Sequence, residues 1–128
     1  MLVKYKQDYE KIALGLLSFM PDLKEFDRLS AELAAYSSEE NRQLFLWKNS
    51  EGDFVGVVGV EVAPTYLMLR HLAFTPNYRQ DTVKFDVLDA LHELFIDKRI
   101  MSPVDMSELL TAWERHCAER SQDLDHGE

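Results

Sequence analysis

Apolar and polar positions change period several times along this chain, and each change marks an element. Arg42 to Lys48 (RQLFLWK) and Phe54 to Val62 (FVGVVGVEV) are rich in β-forming residues. The loop Asn49-Ser50-Glu51-Gly52-Asp53 joins them, so the pair predicts a hairpin. Tyr66 to Phe74 (YLMLRHLAF) predicts a further strand, punctuated by Pro64 before it and Pro76 after it. The pattern then turns helical. Val83, Val87, Leu88, Leu91, Leu94 and Phe95 make one apolar stripe, while Lys84, Asp86, Asp89, Glu93 and Asp97 fall mainly elsewhere.

The flanking segments read in the same way. Leu2 to Tyr5 predicts a short first strand, and Asp8 is placed to cap a helix running to about Met20, with Ile12, Leu16 and Phe19 inward and Pro21 closing it. Asp22 with Glu25 is a capping-box pattern opening a second helix whose stripe is Phe26, Leu29, Leu33 and Tyr36. Residues 37–41 are a polar loop. Arg99 to Ser102 predicts a short strand, brought beside Tyr66–Phe74 by a right-handed crossover through the helix. Asp105 with Glu108 repeats the capping-box pattern ahead of a last helix carrying Met106, Leu109, Leu110, Trp113 and Cys117 on one side. The order is β-α-α-β-β-β-α-β-α, an α/β (α+β) chain without an internal repeat. It is assigned as one domain over 1–121, followed by a flexible acidic tail over 122–128. Gly56 and Gly59 inside a strand suggest a bend, a bulge or a close approach by another group.

Composition narrows the function classes. The 128 residues suit a single core, and a hydrophobic fraction of 46% is ordinary for a globular protein. The formal net charge of −9 is spread over both halves with no basic arm, so nucleic acid and anionic membrane surfaces are electrostatically poor partners, whereas a basic small-molecule amine is well tolerated. Cys117 is the single cysteine, which excludes an intrachain disulfide. The four histidines show no metal-ligand spacing, so no metal site is expected. The start reads as neither a signal peptide nor a membrane span, giving a cytoplasmic expectation.

The chemistry concentrates in the strand, turn and helix from Tyr66 to Phe95. A strand that passes through a short turn into a helix aims the unpaired N–H groups and positive end of that helix at the end of the strand, which suits phosphate. Two side chains are candidates for proton transfer. Glu61 closes the second hairpin strand and reads either as a general base, acting through water, or as a solvated carboxylate. His71 has a suitable intrinsic pKa and reads either as a cleft residue or as a hydrogen-bonded structural one. Strand alternation sends Arg70 and His71 to opposite faces of the sheet. Cys117 reads as a core thiol, since adjacent His116 projects about 100° away on a helix.

The run Leu72-Ala73-Phe74-Thr75-Pro76-Asn77-Tyr78-Arg79, followed by a helix with Leu88, Ala90 and Leu91, resembles motif A of the GNAT superfamily of acyl-CoA-dependent N-acetyltransferases. The opening LVKYKQDYEKIALGLLSFMPD and the run RQLFLWK resemble more narrowly the RibT-like proteins encoded with bacterial riboflavin-synthesis enzymes. With these, the resemblance covers nearly the whole chain. It implies a mixed, mostly antiparallel sheet with helices on both faces, short at the C-terminal end. It also implies transfer of an acetyl group from acetyl-CoA to a small-molecule amine. The pantetheine arm would lie against Leu72 and Phe74, where the strand splays from residues 100–102. The pyrophosphate would lie over the amides of Gln80, Asp81, Thr82, Val83 and Lys84, with Arg79 and Lys84 adding charge. The family's turn has glycines where this chain has Thr82 and Lys84, and Asp81 adds a negative charge there, a departure that weakens the CoA expectation without removing the backbone amides. Trp113 stands where family members often carry a proton-donating Tyr, and an indole has no acid chemistry near neutral pH. A non-catalytic module of the same fold, binding a partner or regulating one, is the alternative. An uncovered strand edge would favour a homodimer.

Overall fold

A computed structural model describes residues 1–126, with side chains through Ser121. Five strands form one sheet in the order β1-β2-β3-β4-β5: Leu2–Lys4, Arg42–Lys48, Phe54–Val62, Tyr66–Phe74 and Arg99–Met101. All neighbours are antiparallel except β4 and β5, which run parallel through three residue pairs, Tyr66↔Arg99 to Met68↔Met101. That parallel step requires a crossover, and α3 (Asp81–Leu94) supplies it. The mixed, mostly antiparallel sheet with helices on both faces is the one the sequence implies.

The two faces carry two apolar clusters. On one, α3 and α4 (Ser107–His126) cover Phe45, Val58, Val60, Leu67, Leu69 and Phe74 with Val87, Leu88, Leu91, Leu110 and Trp113. On the other, α1 (Glu10–Leu17) and α2 (Phe26–Ser38) pack Ala13, Leu16, Leu17, Leu29, Leu33 and Tyr36 on Leu44, Leu46, Val57 and Ala73. Alternation along β2 explains the division, since Leu44 and Leu46 enter one cluster and Phe45 the other.

Several helix boundaries and stripes differ from the sequence reading. No side chain caps α1, which starts at Glu10 after a 3-10 turn over Gln7–Tyr9, so Asp8 is not its cap. The buried stripe of α1 is Ala13, Leu16 and Leu17, while Ile12 and Phe19 lie 39% and 41% exposed. Asp22 does not open α2 either. Leu23 is pulled into the core and its N–H bonds the carbonyl of Met20, so residues before Phe26 form a turn and Phe26 itself is 68% exposed. Burial of one leucine outweighs a cap that stabilises by only about 1 kcal/mol. Asp105 likewise belongs to a 3-10 turn, Val104–Met106, and α4 begins at Ser107. Leu94 leaves its expected stripe: it is 54% exposed and lines an open groove of about 660 Å³ with Leu2 and Phe45 and with the polar Lys4, Gln43 and Glu93. Helix α4 extends to His126, into the stretch assigned to a flexible tail, and residues 127–128 lie outside the described ones. Among the described residues no helix is long and apolar enough to cross a membrane, and no group of three or more His, Cys, Asp or Glu could hold a metal.

Both strand glycines are close-approach sites. A Cβ at Gly56 would come within 2.6 Å of the Phe74 ring, and one at Gly59 would collide with the Tyr36 hydroxyl. Gly59 also marks a bulge: it pairs with His71, yet its neighbour Val60 pairs with Leu69, so Arg70 has no partner on β3. Gly59→Ala should therefore destabilise the protein by about 1–3 kcal/mol, because the buried Tyr36 ring cannot retreat. A urea midpoint unchanged from the wild type would show that the ring has room to move.

Candidate functional site

The bulge decides which way β4 presents its side chains. Before it, Leu67 and Leu69 face α3 and α4; after it, Phe74 faces that side and Ala73 faces α1 and α2. The extra residue inverts the parity, so Arg70 and His71 do not take opposite faces. Both turn toward α2. Arg70 comes 3.6 Å from the carboxylate of Glu61, and His71 Nδ1 lies 2.5 Å from the Tyr36 hydroxyl.

His71 is the one buried polar side chain of the described core. Its Nε2 faces the Glu32 carboxylate at 3.6 Å, and Glu32 in turn lies 3.8 Å from Arg42, which is held at 2.8 Å by Glu39. Burial pushes the Tyr36 phenol well above its usual range and lowers the pKa of His71, against the opposing pull of Glu32 and Asp22. Both rings are therefore neutral at pH 7: the phenol donates to Nδ1, and the Nε2–H points at Glu32. Glu61 accepts from Asn41 Nδ2 at 3.2 Å and sits beside Met68, toward the opposite end of β4 from Phe74.

The second part of the site lies at the carboxyl end of β4. Pro103 follows closely on β5, which ends at Met101, so the strands part beyond Met68 and β4 runs on alone from Leu69 to Phe74 on that side. The chain leaves β4 at Thr75, whose N–H bonds the Val55 carbonyl, and turns through a 3-10 segment, Pro76–Tyr78. Tyr78 is fixed by Asn49, whose Nδ2 donates to its hydroxyl at 2.9 Å. Asn49 is itself set by accepting the N–H groups of Glu51 and Asp53 on its side-chain oxygen. The hairpin loop thus holds the turn that starts α3.

Helix α3 begins with an extended Gln80 and no side-chain cap; the N–H groups of Val83 and Lys84 reach the Gln80 carbonyl. Below that end lies a groove of about 220 Å³ lined by Phe19 to Pro21, Leu72 to Phe74, Arg79, Lys84, Asp105 and Met106. Of the residues expected to bind a cofactor, Leu72, Phe74, Arg79 and Lys84 meet here; Asp81 and Thr82 are exposed at the helix start, and Val83 packs on the core. Arg79 is partly committed already, since its Nε donates to the Phe74 carbonyl at 3.1 Å and its guanidinium lies 5.2 Å from the Phe19 ring centre. Neither Glu61 nor His71 lines the groove, although His71 adjoins Leu72. Trp113 is buried, and its indole N–H donates to Asp89, which Arg120 also grips through two nitrogens.

Sequence reasoning missed Tyr36, Glu32 and Asp105 as site residues. Tyr36 carried the only available signal, a polar-tipped residue in an apolar stripe, and it packs on the strand glycine Gly59. Nothing local marked the other two.

No family model matches the chain. An uncharacterised N-acetyltransferase from the lysA 3′ region of Bacillus methanolicus is 40% identical over 102 residues, covering 79% of this chain and 84% of that protein. This chain belongs to the GNAT N-acetyltransferase family. Its fold places it among solved GNAT structures. The aminoglycoside acetyltransferase AAC(6')-Iy, bound to the bisubstrate analogue CoA-S-monomethyl-acetylneamine, matches with a TM-score of 0.70 at 12% identity over 88% of each chain. The enzyme AAC(6')-Ih from Acinetobacter baumannii matches at 0.66 and 11% identity, over 91% of this chain and 87% of that one. In this GNAT chain the strand parting and the uncapped helix start are in place, and the glycine-rich turn is not.

The buried histidine makes stability depend on pH in a defined direction. With its folded-state pKa below the ordinary value of about 6.5, His71 binds fewer protons folded than unfolded in mild acid. Its contribution is complete above that value and is lost as the pH falls toward the folded-state pKa. Acidification from about pH 7.5 to 5 should lower the Tm of the wild type more than that of His71→Gln. Parallel Tm curves for the two proteins would overturn this account.

Proposed function

We propose that the chain is an acetyl-CoA-dependent N-acetyltransferase acting on a small-molecule amine. The observation that carries this reading is the groove where the end of β4, the uncapped start of α3 and two cationic side chains converge. Its composition suits a long ligand with an apolar arm and phosphates. Leu72 and Phe74 offer strand backbone and apolar surface to the arm. The first amides of α3, at Asp81 and Thr82, with the side chains of Arg79 and Lys84, offer donors and charge to the phosphates, while the Val83 and Lys84 amides are taken by the Gln80 carbonyl. When bound, the thioester supplies an activated acetyl group. The chain's part is to hold it against β4, to exclude water with Phe19, Met20 and Met106, and to handle the proton of the amine. Glu61, acting through water, and His71, which adjoins Leu72, are the proton-handling groups in this reading.

The resemblance of the N-terminal segment and Arg42–Lys48 to RibT-like proteins supports a setting in riboflavin biosynthesis and a cytoplasmic location. The outer edges of β1 and β5, and the open groove beside β1, support a homodimer. One feature favours a second reading, a non-catalytic GNAT module that serves as a binding or regulatory partner. Trp113, at the family's proton-donor position, is buried and bonded to Asp89.

Calorimetric titration with acetyl-CoA separates the two. Saturable binding with Kd on the order of micromolar is expected. Arg79→Ala should weaken it about tenfold, and comparison with desulfo-CoA and 3′-dephospho-CoA should show which part is gripped. No heat at acetyl-CoA concentrations up to about 1 mM would overturn the transferase reading and favour the partner role.

A further inference from the structure

We propose that two copies of this chain pair through the outer edge of β1, joining their five-stranded sheets edge to edge; this rests on the homodimer reading above and assigns its surface. No strand of the described chain pairs with the far side of β1. The bonds it makes inward fix which of its groups face outward. Met1 and Lys48 exchange N–H to carbonyl bonds at 2.6 and 2.9 Å, and the Tyr5 N–H bonds the Leu44 carbonyl at 2.9 Å. Odd-numbered residues therefore bond β2, and alternation turns the N–H and C=O groups of Leu2 and Lys4 outward. A two-fold axis at Val3 sets Leu2 of each copy opposite Lys4 of the other, and both of these pairs exchange backbone bonds. Setting Leu2 on Leu2 or Lys4 on Lys4 makes a single such pair, and the latter also opposes like charges.

The surface beside that edge complements itself. The open groove of about 660 Å³ runs between the strand face of Leu2, Lys4 and Phe45 and the end of α3 at Glu93, Leu94 and Phe95. An axis normal to the sheet brings the grooves of both copies onto one side of the joined sheet. Half-exposed Leu94 then gains apolar surface to cover it. Lys4 and Glu93 carry opposite charges on the two walls, and among the described residues neither belongs to an ion pair. A lysine on an edge strand ordinarily discourages pairing. Here the second copy brings Glu93 to that side of the edge, so the charge favours this partner over an unrelated strand. The β5 edge offers less: Pro103, without an N–H, follows close behind it, and Arg99 on it already faces Glu114 at 3.9 Å.

Sedimentation velocity on the full chain, from about 2 to about 200 μM, should show a reversible dimer with Kd on the order of 10 μM. Lys4→Pro removes an outward N–H and no bond to β2, so it should weaken dimerisation about tenfold or more, with a Tm within about 3 °C of the wild type. Lys4→Glu and Glu93→Lys should each weaken it about tenfold, and the two changes together should return Kd to within about threefold of the wild type. Both charge changes are at exposed positions and leave the fold intact, so the exchange decides the matter even if Lys4→Pro loosens β1. A dimer that the single charge changes leave unaltered, or that the exchange fails to restore, is made by another surface and overturns the assignment to β1. Wild-type protein that stays monomeric at about 200 μM overturns the homodimer reading itself, a separate outcome visible in the first run.

Discussion

The single unpaired residue of β4 governs the arrangement of this molecule. Opposite Gly59, the strand accommodates Arg70 without a ladder partner, and the faces of everything after it are exchanged. Leu67 and Leu69 can therefore pack under α3 and α4 while Ala73 packs under α1 and α2, and His71 comes within hydrogen-bonding distance of Tyr36. The missing side chain at Gly59 is the steric condition for that contact, because the Tyr36 hydroxyl occupies the space a Cβ would fill. Bulge, glycine and tyrosine are one constraint seen from three elements.

The same strand has a second asymmetry. Its first three residues pair with β5, and its last six run alone on that side, because Pro103 and the 3-10 turn that follows carry the chain away from the sheet. Backbone groups of Leu69 to Phe74 are thereby left for something other than a neighbouring strand. The start of α3 is aimed at the same place by a chain of small contacts: Asn49 to Tyr78, Thr75 to Val55, and Arg79 back to Phe74. Rigid placement of this kind is what a binding groove needs, since a misplacement of about 1 Å is costly to orientation.

Departures from the family pattern have visible structural uses. Asp89 stands between Trp113 and Arg120 and is held below the ordinary carboxylate range by those hydrogen bonds, despite the opposing effect of burial. Trp113 and Arg120 of α4 thus fasten that helix to α3 through Asp89. Lys84 and Thr82 at the helix start trade the close backbone approach of glycine for a side-chain charge and a hydroxyl.

The strands β2, β3 and β4, the order of elements and the two helix stripes Leu29-Leu33-Tyr36 and Val87-Leu88-Leu91 were all legible in the sequence. Each depends on a local period of two or about 3.6 and on nearby turn residues, which the sequence displays directly. The strand, turn and helix that border the groove at the carboxyl end of β4 were legible for a similar reason, since they are contiguous. The helix starts at residues 8, 22 and 105 were not, because a cap is worth about 1 kcal/mol and yields to the burial of Leu23 or to the geometry of a 3-10 turn. Nor could the sequence join Glu32 and Tyr36 to His71, or Asp105 to Arg79. Those pairs lie far apart along the chain and meet only once a bulge has inverted one strand and a proline has ended another. Local pattern determined the elements. The long-range register of the sheet decided which side chains share a site, because a shift of one residue moves every later side chain to the opposite face.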